Sequence, residues 1–159
     1  MKHSTYMQVA RDIANSESKC VSRRVGAVIV KDDRIVSTGY NGTPAGHENC
    51  CDVNAHLLSD PNILGSWKDH ESRMHHHHWS KNHELHAEHN AIMYAGRDKC
   101  NGATLYCTLQ PCNQCAVLIA GVGIKRVIYD EAYEMTEETN VLQNVEVVKL
   151  SDLPPDAKY

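Results

Sequence analysis

Between residues 4 and 18, STYMQVARDIANSES, apolar side chains recur at Met7, Val9, Ala10, Ile13 and Ala14, which predicts a helix behind a Ser/Thr cap. The next stretch, VGAVIVKDDRIVSTGYN, holds two β-rich runs about an Asp-Asp turn, hence a hairpin of strands 25–31 and 34–40. From 41 to 83 the pattern lapses into polar, irregular sequence rich in Gly, Pro, Asn and His. A loop of that length in a small domain is either functional or disordered. Regular patterning returns with AEHNAIMYAG, a helix ending near Gly96, and with ATLYCTL, a strand. CNQCAVLIAGVG follows as an apolar helix opened by Pro111 and closed by Gly121 or Gly123. RVIYDEA predicts a strand, MTEETNVLQN a helix, VEVVKL a last strand, and SDLPPDAKY a loose tail. This order predicts an α/β fold, a three-layer α-β-α sandwich around a mixed five-stranded sheet.

A chain of 159 residues suits one domain spanning 1–159, with the His/Cys-rich segment at about 41–83 as an insertion. No apolar run reaches membrane-helix length, and the start MKHSTYMQVARDIA lacks a signal peptide's apolar core. Seven cysteines, an odd number, then favour metal or catalysis in a reducing cytoplasm over a disulfide framework. Eleven histidines strengthen the case for metal. The net charge of −4 and scattered lysines and arginines argue against a polynucleotide partner, which needs a basic face.

Two helix starts concentrate the chemistry. His86-x-Glu88 opens one, and Pro111-Cys112-x-x-Cys115 opens the other after a strand. Positions i and i+2 diverge on a helix flank, so His86 and Glu88 can cooperate only at the tip. Cys112 and Cys115, one turn apart, can grip a tetrahedral ion, and His86 supplies a third ligand. Thiolate and imidazole donors suit zinc, and a helix start favours the thiolate of Cys112. Three ligands leave a position for water, with Glu88 as the proton carrier beside it. The competing reading makes the cysteines core residues and Glu88 a solvated first-turn acid.

His-x-Glu followed by Pro-Cys-x-x-Cys is the signature of the zinc nucleobase deaminases. HAEHNAI at 86–92 and LQPCNQCAVLI at 109–119 resemble the zinc-dependent cytidine deaminase superfamily, and within it the deoxycytidylate deaminase branch. Asn90 is typical of that branch, as is VGAVIVKDDRIVSTGYNGTPAG at 25–46. The likeness runs from Lys19 to about Leu150 and is greatest to the bacteriophage form, through KCVSRRVGAV and the Asn-Cys-Cys-Asp of 49–52. It implies hydrolysis of dCMP to dUMP and ammonia in the cytoplasm (of a host, for a viral chain). Glu88 would take the proton of a zinc-activated water, protonate N3 of cytosine, and then protonate the departing amine.

The resemblance places Asn41 and Tyr133 in the nucleotide pocket, with the Ala87 NH as a donor to the base carbonyl. Arg23 and Arg24, just before the first strand, are candidate phosphate partners, with solvated arginines as the alternative. Arg97, nine residues past Glu88, suits a subunit boundary. The phage-type enzymes hold a second, structural zinc, and the matching positions are Cys20, Cys50, His76 and Glu84; His83, His75 or Cys51 are substitutes. The alternative is a mobile His-rich loop with adventitious metal affinity. The branch implies a homo-hexamer activated by dCTP and inhibited by dTTP, with Mg2+ accompanying the triphosphate. Its effector loop corresponds to Tyr40, Asn41, Gly42, Ala45 and Gly46, where glycine NH groups could meet phosphates; a tight turn is the plain alternative. Whether dCTP is also a substrate stays open. Two other classes compete: a deaminase of bases within RNA or DNA, and a non-catalytic zinc-stabilised binding module, which would have no use for Glu88.

Overall fold

The computed structural model describes residues 1–134 and 139–159. In chain order these form helix α1 (His3–Glu17), strands β1 (Gly26–Lys31) and β2 (Arg34–Tyr40), and helices α2 (Cys50–Asn54), α3 (His70–His83), α4 (Ala87–Ala95) and α5 (Arg97–Cys100). Strand β3 (Thr104–Leu109), helix α6 (Asn113–Gly121) and strands β4 (Arg126–Glu131) and β5 (Glu146–Lys149) complete the order. Short 3-10 turns cover Ala55–Leu57 and Leu150–Asp152.

The sheet runs β2-β1-β3-β4-β5. Strand β1 lies antiparallel to both β2 and β3, while β3, β4 and β5 are parallel, so the sheet is mixed and five-stranded as expected. The hairpin turns on Asp32 and Asp33, both left-handed at φ 51° and 57°, a conformation that Asp tolerates better than bulkier residues. Tyr6 Oη donates to the Asp33 carbonyl at 2.8 Å and ties the turn to α1.

Successive strand residues point to opposite faces, and the central strands are buried on both. One face packs Val28, Val30, Tyr106 and Ile128 against Tyr6, Met7 and Ala10 of α1. The other packs Ile29, Leu105 and Val127 against Ala91 and Ile92 of α4 and Ile119 of α6. Glycine sets how closely the layers approach. A Cβ at Gly26 would collide with the Ala10 carbonyl, and one at Gly39 with the Ala87 carbonyl. Beside Gly39, Ser37 Oγ donates to the Ala91 carbonyl at 2.7 Å, so β2 and α4 are stitched together.

Four expectations are corrected. The first helix begins at His3 with no side-chain cap bond, because His3 Nδ1 meets the buried Tyr106 hydroxyl at 2.7 Å and draws the start forward of the Ser/Thr pair. The 41–83 stretch is not irregular. Its longest part is the 14-residue helix α3, capped by Asp69, which accepts from Ser72 N at 2.7 Å. A small apolar cluster of Cys20, Val21, Cys50 and Leu58, flanked by Trp67 and Trp79, sits beneath it. The helix expected over 135–144 falls partly outside the described residues, and 139–145 form turns and bends. The tail is docked: Leu153 and Tyr159 pack on the Tyr6 side of the core. No helix among the described residues is long and apolar enough to cross a membrane.

Candidate active site

Sheet topology brings the chemistry to one edge. Because β1 is antiparallel to its neighbours, its start lies beside the ends of β2, β3 and β4, in the registers Gly26–Tyr40, Ala27–Cys107 and Leu109–Glu131. The end of β3 leads into α6 there, and the chain that left after β2 re-enters beside it at Leu85, just before α4. A cavity of about 580 Å³ opens there, with Val25, Asn41, Leu109, Gln110 and Tyr133 among its walls. Carboxyl ends of strands are where open α/β sheets bind ligands.

His86 and Cys112 are the residues immediately before α4 and α6, in extended conformation at φ −74° and −71°. From those caps they face each other. His86 Nδ1 lies 3.4 Å from Cys112 Sγ and 3.4 Å from Cys115 Sγ. Hydrogen bonding from Cys115 holds Cys112 down at about 4, while the same contact and burial push Cys115 up. The neighbouring Cys112 sulfur in turn raises His86. Glu88 is 4% exposed, with Oε2 3.7 Å from Cys115 Sγ, and burial raises its carboxyl above the ordinary value. The three donors fit a zinc ion by type and number, and a tetrahedral ion held by them would keep one position for water. The bland alternative for Glu88, a solvated first-turn acid, does not hold, because its side chain is buried at the cavity floor.

A second cluster stands on the same cavity. Cys20, Cys50, His76 and Glu84 offer four donor atoms, all within 4.8 Å of one another. His76 Nε2 lies 3.3 Å from Cys50 Sγ and 3.8 Å from Cys20 Sγ, and Cys20 Sγ lies 3.7 Å from Glu84 Oε2. The hydrogen bond from Cys50 lowers Cys20 to about 4, while burial and the Cys20 charge lift Glu84 to about 7. Glu84 Oε1 is buried and has no hydrogen-bond partner among the described residues. An orphaned carboxylate oxygen beside two sulfurs and an imidazole fits a closed four-donor metal site. The substitutes stand outside it. His83 Nδ1 bonds the Trp79 carbonyl at 2.7 Å, Cys51 lies by Asp52, and His75 is exposed.

The other expected residues divide. Asn41, Ala87, Tyr133 and Arg23 reach the cavity. The Asn41 amide is occupied: its Oδ1 accepts from Val25 N and Ser18 Oγ, and its Nδ2 donates to the Arg23 carbonyl. It shapes the wall more than it offers a free polar group. Arg23 stands 3.7 Å from Glu131, and Arg24 donates to the Asn15 carbonyl away from the cavity. Of the loop residues, Tyr40, Gly42, Ala45 and Gly46 lie off the cavity wall. Gly42 N is spent on the Leu85 carbonyl at 3.1 Å, so the expectation that its NH meets a phosphate is corrected; Gly46, at φ 85°, has open space around its α-carbon.

Two wall features had no expectation. Gln110 Oε1 accepts from Tyr133 N at 3.1 Å and fixes the loop after β4. Arg73, His77 and Ser80 of α3 line the cavity alongside His76 and Glu84. Their helical spacing was visible in the sequence, hidden by a run with almost no apolar residues to set the period.

Comparison with known proteins agrees with this geometry. The family model described as "Cytidine and deoxycytidylate deaminase zinc-binding region" matches residues 1–131. The chain is 45% identical over 155 residues to the deoxycytidylate deaminase of Enterobacteria phage T4, covering 84% of this chain and 80% of that one. Against the enzyme of the same name from Enterobacteria phage T2, identity is 43%, with 84% and 82% covered. Among solved structures, the dCMP deaminase of cyanophage S-TIM5, in complex with dCMP and dUMP, superposes with a TM-score of 0.67 at 33% identity. That match covers 94% of this chain and 99% of the other.

Proposed function

The chain belongs to the cytidine and deoxycytidylate deaminase family, and we propose that it hydrolyses dCMP to dUMP and ammonia. One observation carries this reading: the donors His86, Cys112 and Cys115 converge beside the cavity, which His86 and Cys112 line, with the buried acid Glu88 against them. The likeness to a phage enzyme solved with dCMP and dUMP supports the choice of base and nucleotide.

His86, Cys112 and Cys115 would hold Zn2+, which would supply Lewis acidity and lower the pKa of water toward neutrality. The rest of the work falls to the chain. Glu88 accepts the proton of the attacking water and delivers one to N3 of cytosine, making C4 electrophilic. Once the water oxygen has bonded to C4, Glu88 takes the remaining hydroxyl proton and passes it to the 4-amino group, so that the C4–N bond breaks, ammonia departs and C4 is left as a carbonyl. A carboxyl whose pKa burial has raised is suited to both directions of transfer. The Ala87 NH, in the first turn of α4, donates to the base carbonyl. Tyr133, Asn41, Val25 and Leu109 enclose the nucleotide and exclude water.

A second zinc at Cys20, Cys50, His76 and Glu84 serves structure, joining α3 to the segment before β1. The loop of Tyr40, Asn41, Gly42, Ala45 and Gly46 receives dCTP as activator and dTTP as inhibitor, with Mg2+ on the triphosphate. Arg97, exposed on α5, belongs to a boundary of a homo-hexamer. Acceptance of dCTP as a second substrate is part of the same reading. The test offers dCMP, dCTP, deoxycytidine and CMP to purified protein and follows ammonia release. Fastest release from dCMP is expected, and silence on all four, with and without added dCTP and Mg2+, overturns the reading. A hyperbolic rate curve in dCMP, unmoved by either triphosphate, removes the regulatory part.

A further inference from the structure

We infer that Arg73, reaching the cavity from α3, holds the 5′-phosphate of the nucleotide and so selects nucleotides over nucleosides. This rests on the cavity being the nucleotide site. A phosphate needs a cation that touches the cavity and is not already committed. His76 and His86 sit in the two donor clusters, Arg23 stands 3.7 Å from Glu131, and Arg24 is off the wall. Arg73 lines the cavity, and its guanidinium has no ion pair or hydrogen bond among the described residues. The acids on the wall besides Glu88 are Glu84, in the four-donor cluster, and Glu134.

Its support is firm. Arg73, His77, Ser80 and Glu84 succeed one another at steps of four, three and four, which places them along one stripe of the helix and its continuation. His76, one turn on from Arg73, is 5% exposed and fixed against Cys20 and Cys50. The helix therefore cannot roll without breaking the cluster, and the stripe stays turned to the cavity. A guanidinium carried on a helix so fixed can grip two phosphate oxygens at once, which an ammonium cannot. The His77 ring, a turn along the same stripe, is placed to add a donor.

Steady-state kinetics of the zinc-loaded protein with dCMP and with deoxycytidine separates the phosphate from the base. In Arg73→Ala, kcat/KM for dCMP falls about 10- to 100-fold, through KM, while deoxycytidine changes less than about twofold. Arg73→Lys recovers part of the loss. Calorimetric titration with dUMP and deoxyuridine runs alongside and reads phosphate affinity without turnover; Arg73→Ala weakens dUMP alone. A fall shared equally by both substrates, no fall on dCMP, or a loss seen in Arg23→Ala but absent in Arg73→Ala overturns the inference. If wild type leaves dCMP unchanged yet binds dUMP over deoxyuridine through Arg73, the reaction is wrong and the phosphate site stands. If it turns over dCMP and Arg73→Ala alters neither KM nor dUMP affinity, the site is wrong and the reaction stands.

Discussion

Glu88 is asked to carry a charge in a place that resists charge. Burial lifts its pKa above the ordinary 4.5, and two effects with opposite beneficiaries follow. For catalysis, the carboxylate must be ionised to accept the first proton. Activity in dCMP therefore declines on acidification through an apparent pKa above 4.5, read from the acid limb of kcat/KM. For stability the sign reverses. A carboxyl with a raised folded pKa binds its proton more tightly folded than unfolded, so stability falls as pH rises from the unfolded value through the folded one. Glu88→Gln removes that penalty. Metal-free Glu88→Gln melts higher than wild type at neutral pH in a thermal scan, while the zinc-loaded variant keeps its metal and loses kcat by about 10²- to 10⁴-fold. Residues of this kind were legible in the sequence because histidine, glutamate and paired cysteines at helix starts name their chemistry. Gln110 was not, since its role is to hold the Tyr133 backbone and nothing local marks that.

At the scale of elements, β2 and α4 meet through Gly39, whose absent side chain lets the Ala87 carbonyl approach. Gly39→Ala forces the start of α4 outward and with it His86 and Glu88; a loss of about 1–3 kcal/mol in urea melts is expected, with a larger loss of turnover. Helix α3 behaves differently. Both tryptophans, Trp67 and Trp79, flank the insertion's apolar cluster, and their rings lie 5.0 and 6.4 Å from that of His76. Tryptophan emission thus reports this part of the molecule alone. Chelation, or Cys50→Ser, shifts that emission and loosens α3, whereas Cys112→Ser abolishes turnover and leaves emission in place. Strands and apolar helices were legible because burial on a sheet imposes a period. Helix α3 was not, because its one fully buried side chain is a histidine and its anchor is the donor cluster. The docked tail was hidden for a related reason, since Leu153 and Tyr159 find their partners across the length of the chain.

For the whole molecule, two separate donor groups predict two zinc equivalents per chain by elemental analysis, falling to one in Cys50→Ser. The charge of −4 and the scattered lysines and arginines predict no retention of single-stranded oligonucleotides at physiological salt in gel-shift experiments. The path of the chain adds a last point. It leaves the body after β2 and returns at Leu85, and there Gly42 and Leu85 exchange a pair of hydrogen bonds at 3.1 and 2.8 Å. Departure and return thus pass through one narrow neck, with His86 immediately beyond it. Beyond the neck the excursion touches the body again at Cys51 and Gly65, whose NH groups donate to the Lys19 and Val21 carbonyls at 3.1 and 2.9 Å. Between those ties evolution or an engineer can lengthen or trim the exposed turns, retuning which molecules are admitted while the two helix starts that carry the chemistry are left as they were.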